Sequence, residues 1–94
     1  MYNETDSKKK FVVFAIEEYR NRKGIDGKTA ITLFEKSGLL QYIEDFYDVL
    51  HSNGTEYLIA DFDDYFKHRN IDDYDLNENE KKIFIEIQNH TLKK

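Results

Sequence analysis

Tyr47 and His51 stand four residues apart, with Asp48 between them, in the most aromatic stretch of the chain, residues 46–66. On a helix that spacing stacks two side chains on one face. A histidine titrates near neutrality, so His51 could act as acid or base, assisted by Ser52 or Tyr57. The same ring can instead close a helix, where its N–H meets a late carbonyl and its charge suits the dipole. Catalysis also needs a nucleophile and base at a matched spacing, and none accompanies His51. No catalytic residue is therefore assigned. Tyr47, His51, Tyr57, Asp61, Asp63 and Asp64 are the candidate interaction or ligand site.

Eight carboxylates fall between residues 61 and 80: Asp61, Asp63, Asp64, Asp72, Asp73, Asp75, Glu78 and Glu80. Asp73, Asp75 and Asn77 have the opening spacing of a calcium-binding loop. Glu78 then stands where that loop needs glycine, and Phe84 where it needs a bidentate glutamate. The three histidines, at 51, 68 and 90, lack ligand spacing. The expectation is no metal and no cofactor. Asp61, Asp63 and Asp64 read as the acidic first turn of a helix, and the loop acids as a solvated face able to steer a basic partner.

Bulk properties narrow the function classes. The 94 residues make one domain of net charge -5. That charge opposes general nucleic-acid binding, which needs a basic surface to displace counterions. The absence of cysteine removes disulfides, thiol catalysis and zinc–thiolate sites, and suits a cytoplasmic protein. Lys8–Lys10 before F-V-V-F-A-I mimics a signal peptide, but the apolar run meets Glu17 and Glu18 after six residues. It is too short for a leader or a membrane span, so the protein is expected to be soluble.

The elements that must position these residues read as helices. Val12, Ala15, Ile16 and Tyr19 form one stripe, capped by Asp6 or Ser7 and stopped at Gly24. Asp26 caps a second helix that ends at Gly38, with Ile25 and Ala30 at staple spacing. Leu39, Ile43, Phe46 and Leu50 form a third core stripe, closed by His51 and Asn53-Gly54. Residues 55–59 suit either an extended piece or a helical turn. A fourth helix starts at Asp61 and buries Ile59, Phe62 and Phe66. Asn77 and Glu80 form a capping pattern before I-F-I-E-I, which suits a helix or a lone strand. The reading is all-α: a bundle of about four short helices plus a C-terminal helix or strand. Residues 1–7 are a flexible N-terminus, 8–70 the helical core, and 71–94 an acidic loop and appendage.

The segments F-V-V-F-A-I-E-E-Y, G-I-D-G-K-T, L-F-E-K-S-G-L-L-Q-Y-I and F-Y-D-V-L-H-S-N-G-T-E-Y-L-I-A-D-F-D-D-Y carry a resemblance. Over roughly residues 8–70 the chain resembles a small bacterial and archaeal domain-of-unknown-function family, number thirty-seven ninety-one, most recognisably at Y-D-V-L-H. The family has no assigned activity, so no catalytic residue carries over. Its members are encoded beside proteins that look like ADP-ribosyltransferase-type toxins. The resemblance therefore implies an antitoxin-like or regulatory accessory role with a basic or toxin-like protein partner.

The leading expectation is a small non-enzymatic protein-binding module, with homo-oligomers open. One alternative is a ligand-binding or enzymatic domain centred on Tyr47, His51 and Tyr57. Another is a DNA-binding regulator, since two short helices flank a glycine turn. Thr29–Lys36 offers few side chains that read bases, and nucleic acid is the weaker partner.

Overall fold

The computed structural model describes residues 4–92; residues 1–3 of the expected flexible N-terminus and residues 93–94 lie outside the described residues, as do the side chains of residues 4, 5, 71 and 89–92, His90 included. The chain is all-α. Helices α1 (Glu4–Lys23), α2 (Gly27–Ser37), α3 (Leu39–Asp45), α4 (Tyr47–Leu50), α5 (Thr55–Lys67) and α6 (Glu78–Leu92) follow in order, with a 3-10 turn at Ile71–Asp73. The C-terminal segment, open between helix and strand in sequence, is helix α6.

Local chemistry sets most of the boundaries. Asp6 and Ser7 lie inside α1, which starts at Glu4, and not before it. Gly24 ends α1 in the left-handed region at φ 71. The Ile25 N–H then donates to the Arg20 carbonyl at 3.0 Å, the closure typical of a glycine-stopped helix. The Asp26 carboxylate accepts the Thr29 N–H at 2.7 Å and so caps α2. That bond holds the Asp26 carboxyl below its usual pKa. Asn77 and Glu80 cap α6 reciprocally: the Glu80 N–H donates to Asn77 Oδ1 at 2.8 Å, and the Asn77 N–H to Glu80 Oε1 at 3.0 Å.

Two expectations are corrected. The stripe Leu39, Ile43, Phe46, Leu50 does not run on one unbroken helix. The backbone bends at Phe46 (φ -112, ψ 26), dividing α3 from α4. Phe46 is turned outward and is 51% exposed, while Leu39, Ile43 and Leu50 stay buried. Its ring packs on Tyr42, 5.0 Å between centroids. The second correction concerns α5, which starts at Thr55 and not at Asp61. Residues 55–59 are thus its first turns, and Asp61–Asp64 lie in mid-helix.

The core is built on four rings. Tyr19 of α1, Phe34 of α2, and Phe62 and Phe66 of α5 meet with centroids 5.7 to 6.3 Å apart. Such edge and tilted contacts suit the ring quadrupoles. Leu33, Leu39, Ile43, Leu50 and Leu58 fill the space around them. Helix α6 adds Phe84, whose ring lies 5.2 Å from Phe66, and Ile87. Leu76, in the stretch read as a solvated acidic loop, is also buried.

Gly38 joins α2 to α3 at φ 84, and a Cβ there would lie 3.1 Å from the Tyr65 hydroxyl. That hydroxyl is fixed, because it donates to the Ser37 carbonyl at 2.9 Å. Gly24 has the same backbone sign with nothing within 4 Å of its added Cβ. Gly24→Ala should therefore cost about 1 kcal/mol, the backbone penalty alone. Gly38→Ala should cost about 2 kcal/mol or more, because the phenol must also move. Urea denaturation of both variants measures the difference.

Candidate functional site

The six candidate residues separate into three places. The first lies where α4 meets α1. The Tyr47 and His51 rings stack in parallel, with centroids 4.3 Å apart and planes at 3°. Phe11 of α1 meets Tyr47 edge-on at 5.6 Å and His51 at 6.4 Å. Phe14 lies 6.2 Å from Phe11 and is 44% exposed. The four rings form a continuous aromatic ridge across two helices.

His51 also closes α4. Its Nδ1 lies 2.8 Å from the Tyr47 carbonyl oxygen. A carbonyl only accepts, so Nδ1 carries the proton and Nε2 is the remaining ring nitrogen. Ser52 Oγ donates to the Asp48 carbonyl at 2.8 Å, and Asn53 Nδ2 to the Val49 carbonyl at 2.7 Å. Three successive side chains thus bond three successive carbonyls at a helix end, and the Tyr47 and Val49 carbonyls also accept the backbone N–H groups of His51 and Ser52. The helix-closing role read for His51 is what its geometry displays.

The second place is the Tyr42–Asp61 pair. The Tyr42 hydroxyl donates to Asp61 Oδ2 at 2.7 Å. Partial burial, followed by the bond to Asp61, pushes the Tyr42 phenol up to about 12. Tyr57 adds to that rise electrostatically. Among the described residues no ring contact joins Tyr57 to Tyr47 or His51.

The third place is Asp63, which faces inward from α5. Its Oδ1 accepts the Tyr19 hydroxyl at 2.8 Å, and its Oδ2 pairs with Lys23 Nζ at 3.0 Å. The Lys23 and Asp63 side chains are only 4% and 18% exposed. Burial, then the negative Asp63, raises the Tyr19 pKa far above that of a free phenol. Asp64 is exposed, and its Oδ1 lies 3.3 Å from His68 Nδ1.

The acids of residues 61–80 are therefore not one solvated face. Asp61 and Asp63 bond inward, and Glu80 accepts Lys36 of α2 at 3.2 Å as well as capping α6. Asp73, Asp75 and Glu78 carry no ion pair among the described residues. No group of three or more metal-ligating side chains gathers among the described residues. No described helix is long and apolar enough to cross a membrane.

The partners of these acids were missed in sequence, though one signal pointed to them. Ile59, Phe62, Asp63 and Phe66 share the buried face of α5 by spacing. An acid in that register must find a buried partner. Tyr19 and Lys23, one helical turn apart, supply it. Phe11 and Phe14 gave no comparable signal, because their ring contacts depend on how α1 crosses α4.

The chain belongs to the family described as Protein of unknown function (DUF3791), which matches residues 10–69. The family resemblance read from the sequence is thereby borne out. No curated protein and no solved structure matches the chain.

Two tests follow from the geometry. Asp63→Ala leaves Lys23 charged and enclosed, so it should destabilise by about 3 kcal/mol, whereas exposed Asp64→Ala should stay within about 0.5 kcal/mol. Chemical denaturation at neutral pH compares them. Alkaline stability tests the tyrosines. A raised phenol pKa stabilises the fold fully below the unfolded value of 10.0, and this is lost as pH rises toward about 12 for Tyr42. Tm should fall over that window, and Tyr42→Phe should make the fall shallower.

Proposed function

We propose that the chain is a non-enzymatic protein-binding module, an accessory protein of the antitoxin-like or regulatory kind acting in the cytoplasm. The observation that carries this reading is the aromatic ridge of Phe11, Phe14, Tyr47 and His51. Phe46 and Val49, exposed at 51% and 54%, add apolar area on the same short stretch of chain. Phe14 and His51 are exposed, and Phe11 and Tyr47 are half-buried beneath them; rings left partly in water while the core is closed are characteristic of protein interfaces, where a few aromatic anchors supply most of the binding energy. The bonds at the end of α4 and the stacked rings order the ridge ahead of association, which lowers the ordering cost of binding.

The outward acids Asp73, Asp75 and Glu78 supply negative potential suited to a basic partner, chiefly through encounter rate. The alternative of a catalytic or ligand site centred on Tyr47, His51 and Tyr57 has less support, because among the described residues the ring contact joins Tyr47 to His51 and none joins Tyr57 to either.

Affinity capture from the source cells tests the reading, comparing the native chain with a Phe14→Ser, Val49→Ser double variant. Both positions are exposed, so folding should change by no more than about 0.5 kcal/mol. The native chain should retain one partner in stoichiometric amount, and the double variant should lose it. Recovery of self-associated chain alone, or equal retention by the variant, overturns the proposal.

A further inference from the structure

Helix α6 lies outside the family match, which ends at residue 69, two residues after α5. It nevertheless packs against α2 and α5 of that matched unit. Phe84 and Ile87 enter the core from α6, Phe84 against Phe66 and Tyr74. Lys36 stands on the α2 rim and pairs with Glu80 at 3.2 Å. On the α5 rim Gln88 Nε2 donates to the Phe66 carbonyl at 3.5 Å. The opposite face of α6 is in water, with Ile85 52% exposed.

We propose that the groove between α2 and α5 is a helix-binding site, that α6 is its occupant in cis, and that its occupant in trans is an amphipathic helix of the same pattern. That pattern is an acid, an aromatic ring four residues later and an aliphatic side chain three residues after that, as in Glu80, Phe84 and Ile87. Each position answers a feature of the groove: Lys36 takes the acid, Phe66 takes the ring edge-on, and the apolar floor takes the aliphatic group. This is the helix-in-groove mode of recognition, read as anchors one turn apart.

Two features make α6 displaceable. Among its described side chains, its apolar seat rests on Phe84 and Ile87, with Ile83 partly buried, whereas α5 buries Leu58, Ile59, Phe62 and Phe66 and is also tied to α1 through Asp63. The connector between α5 and α6 is largely exposed and holds Leu76 as its one wholly buried side chain among the described residues. Elements with few buried contacts and exposed linkers open first. A trans helix then competes with a tethered one, so undocking α6 exposes the site.

The test uses the full chain and a labelled synthetic peptide of residues 74–92. The Phe84→Asp, Ile87→Asp variant, with α6 undocked, should bind the peptide one to one, and the native chain should bind it at least roughly tenfold more weakly. Glu80→Lys in the peptide should weaken binding to the undocked variant by roughly tenfold, and adding Lys36→Glu to that variant should restore it. A folded, undocked variant that ignores the peptide overturns the proposal. So does loss of the other helices in that variant, which would make α6 integral. Hydrogen exchange on the native chain gives an independent reading: α6 amides should exchange at least roughly tenfold faster than those of α5, and equal protection also overturns it.

Discussion

A wholly buried tyrosine must place its hydroxyl on an acceptor, and in this chain that requirement governs the assembly. Tyr19 sits at the centre of the ring cluster with Phe34, Phe62 and Phe66. Its hydroxyl finds Asp63, whose charge is acceptable there only because Lys23 answers it. Oil-like packing by itself would allow α1 to slide along α5. The directional bonds of this triad fix the register, and the register carries Phe11 of α1 to the rings of α4. The polar group inside the core thus determines which rings show outside it.

Much of the fold could be read because its signals are local. The glycine stop at Gly24, the Asp26 cap and the Asn77–Glu80 box are satisfied within a few residues of chain, so sequence spacing determines them. Errors arose where tertiary contact decides. A helical wheel places Phe46 with Ile43 and Leu50. The bend that turns it outward accompanies contacts to Tyr42, in the turn before, and of Tyr47 to Phe11, far along the chain. The acids of α5 misled for a related reason. Acidic residues are common in first turns, so Asp61–Asp64 resembled a start. Their actual partners, Tyr42, Tyr19 and Lys23, lie on other helices.

The candidate site divides along the same line. Tyr47 and His51 could be paired from spacing, since one helical turn separates them. Joining Tyr57 to them required knowing where α5 begins and which way it leaves the turn at Gly54. Of the six residues proposed from sequence, Tyr47 and His51 share a ring contact. The ridge they form with Phe11 and Phe14 became visible once the helices were placed.

The position of α6 also imposes an order in time. A ribosome releases the chain from its N-terminus, so α1 to α5 emerge with Phe66 in place before Phe84 exists outside the tunnel. Until Glu80 and Phe84 arrive, Lys36 and Phe66 lack the partners that α6 gives them. What binds there first, a chaperone, a neighbouring chain or the tail that follows, is a question of supply as much as of affinity.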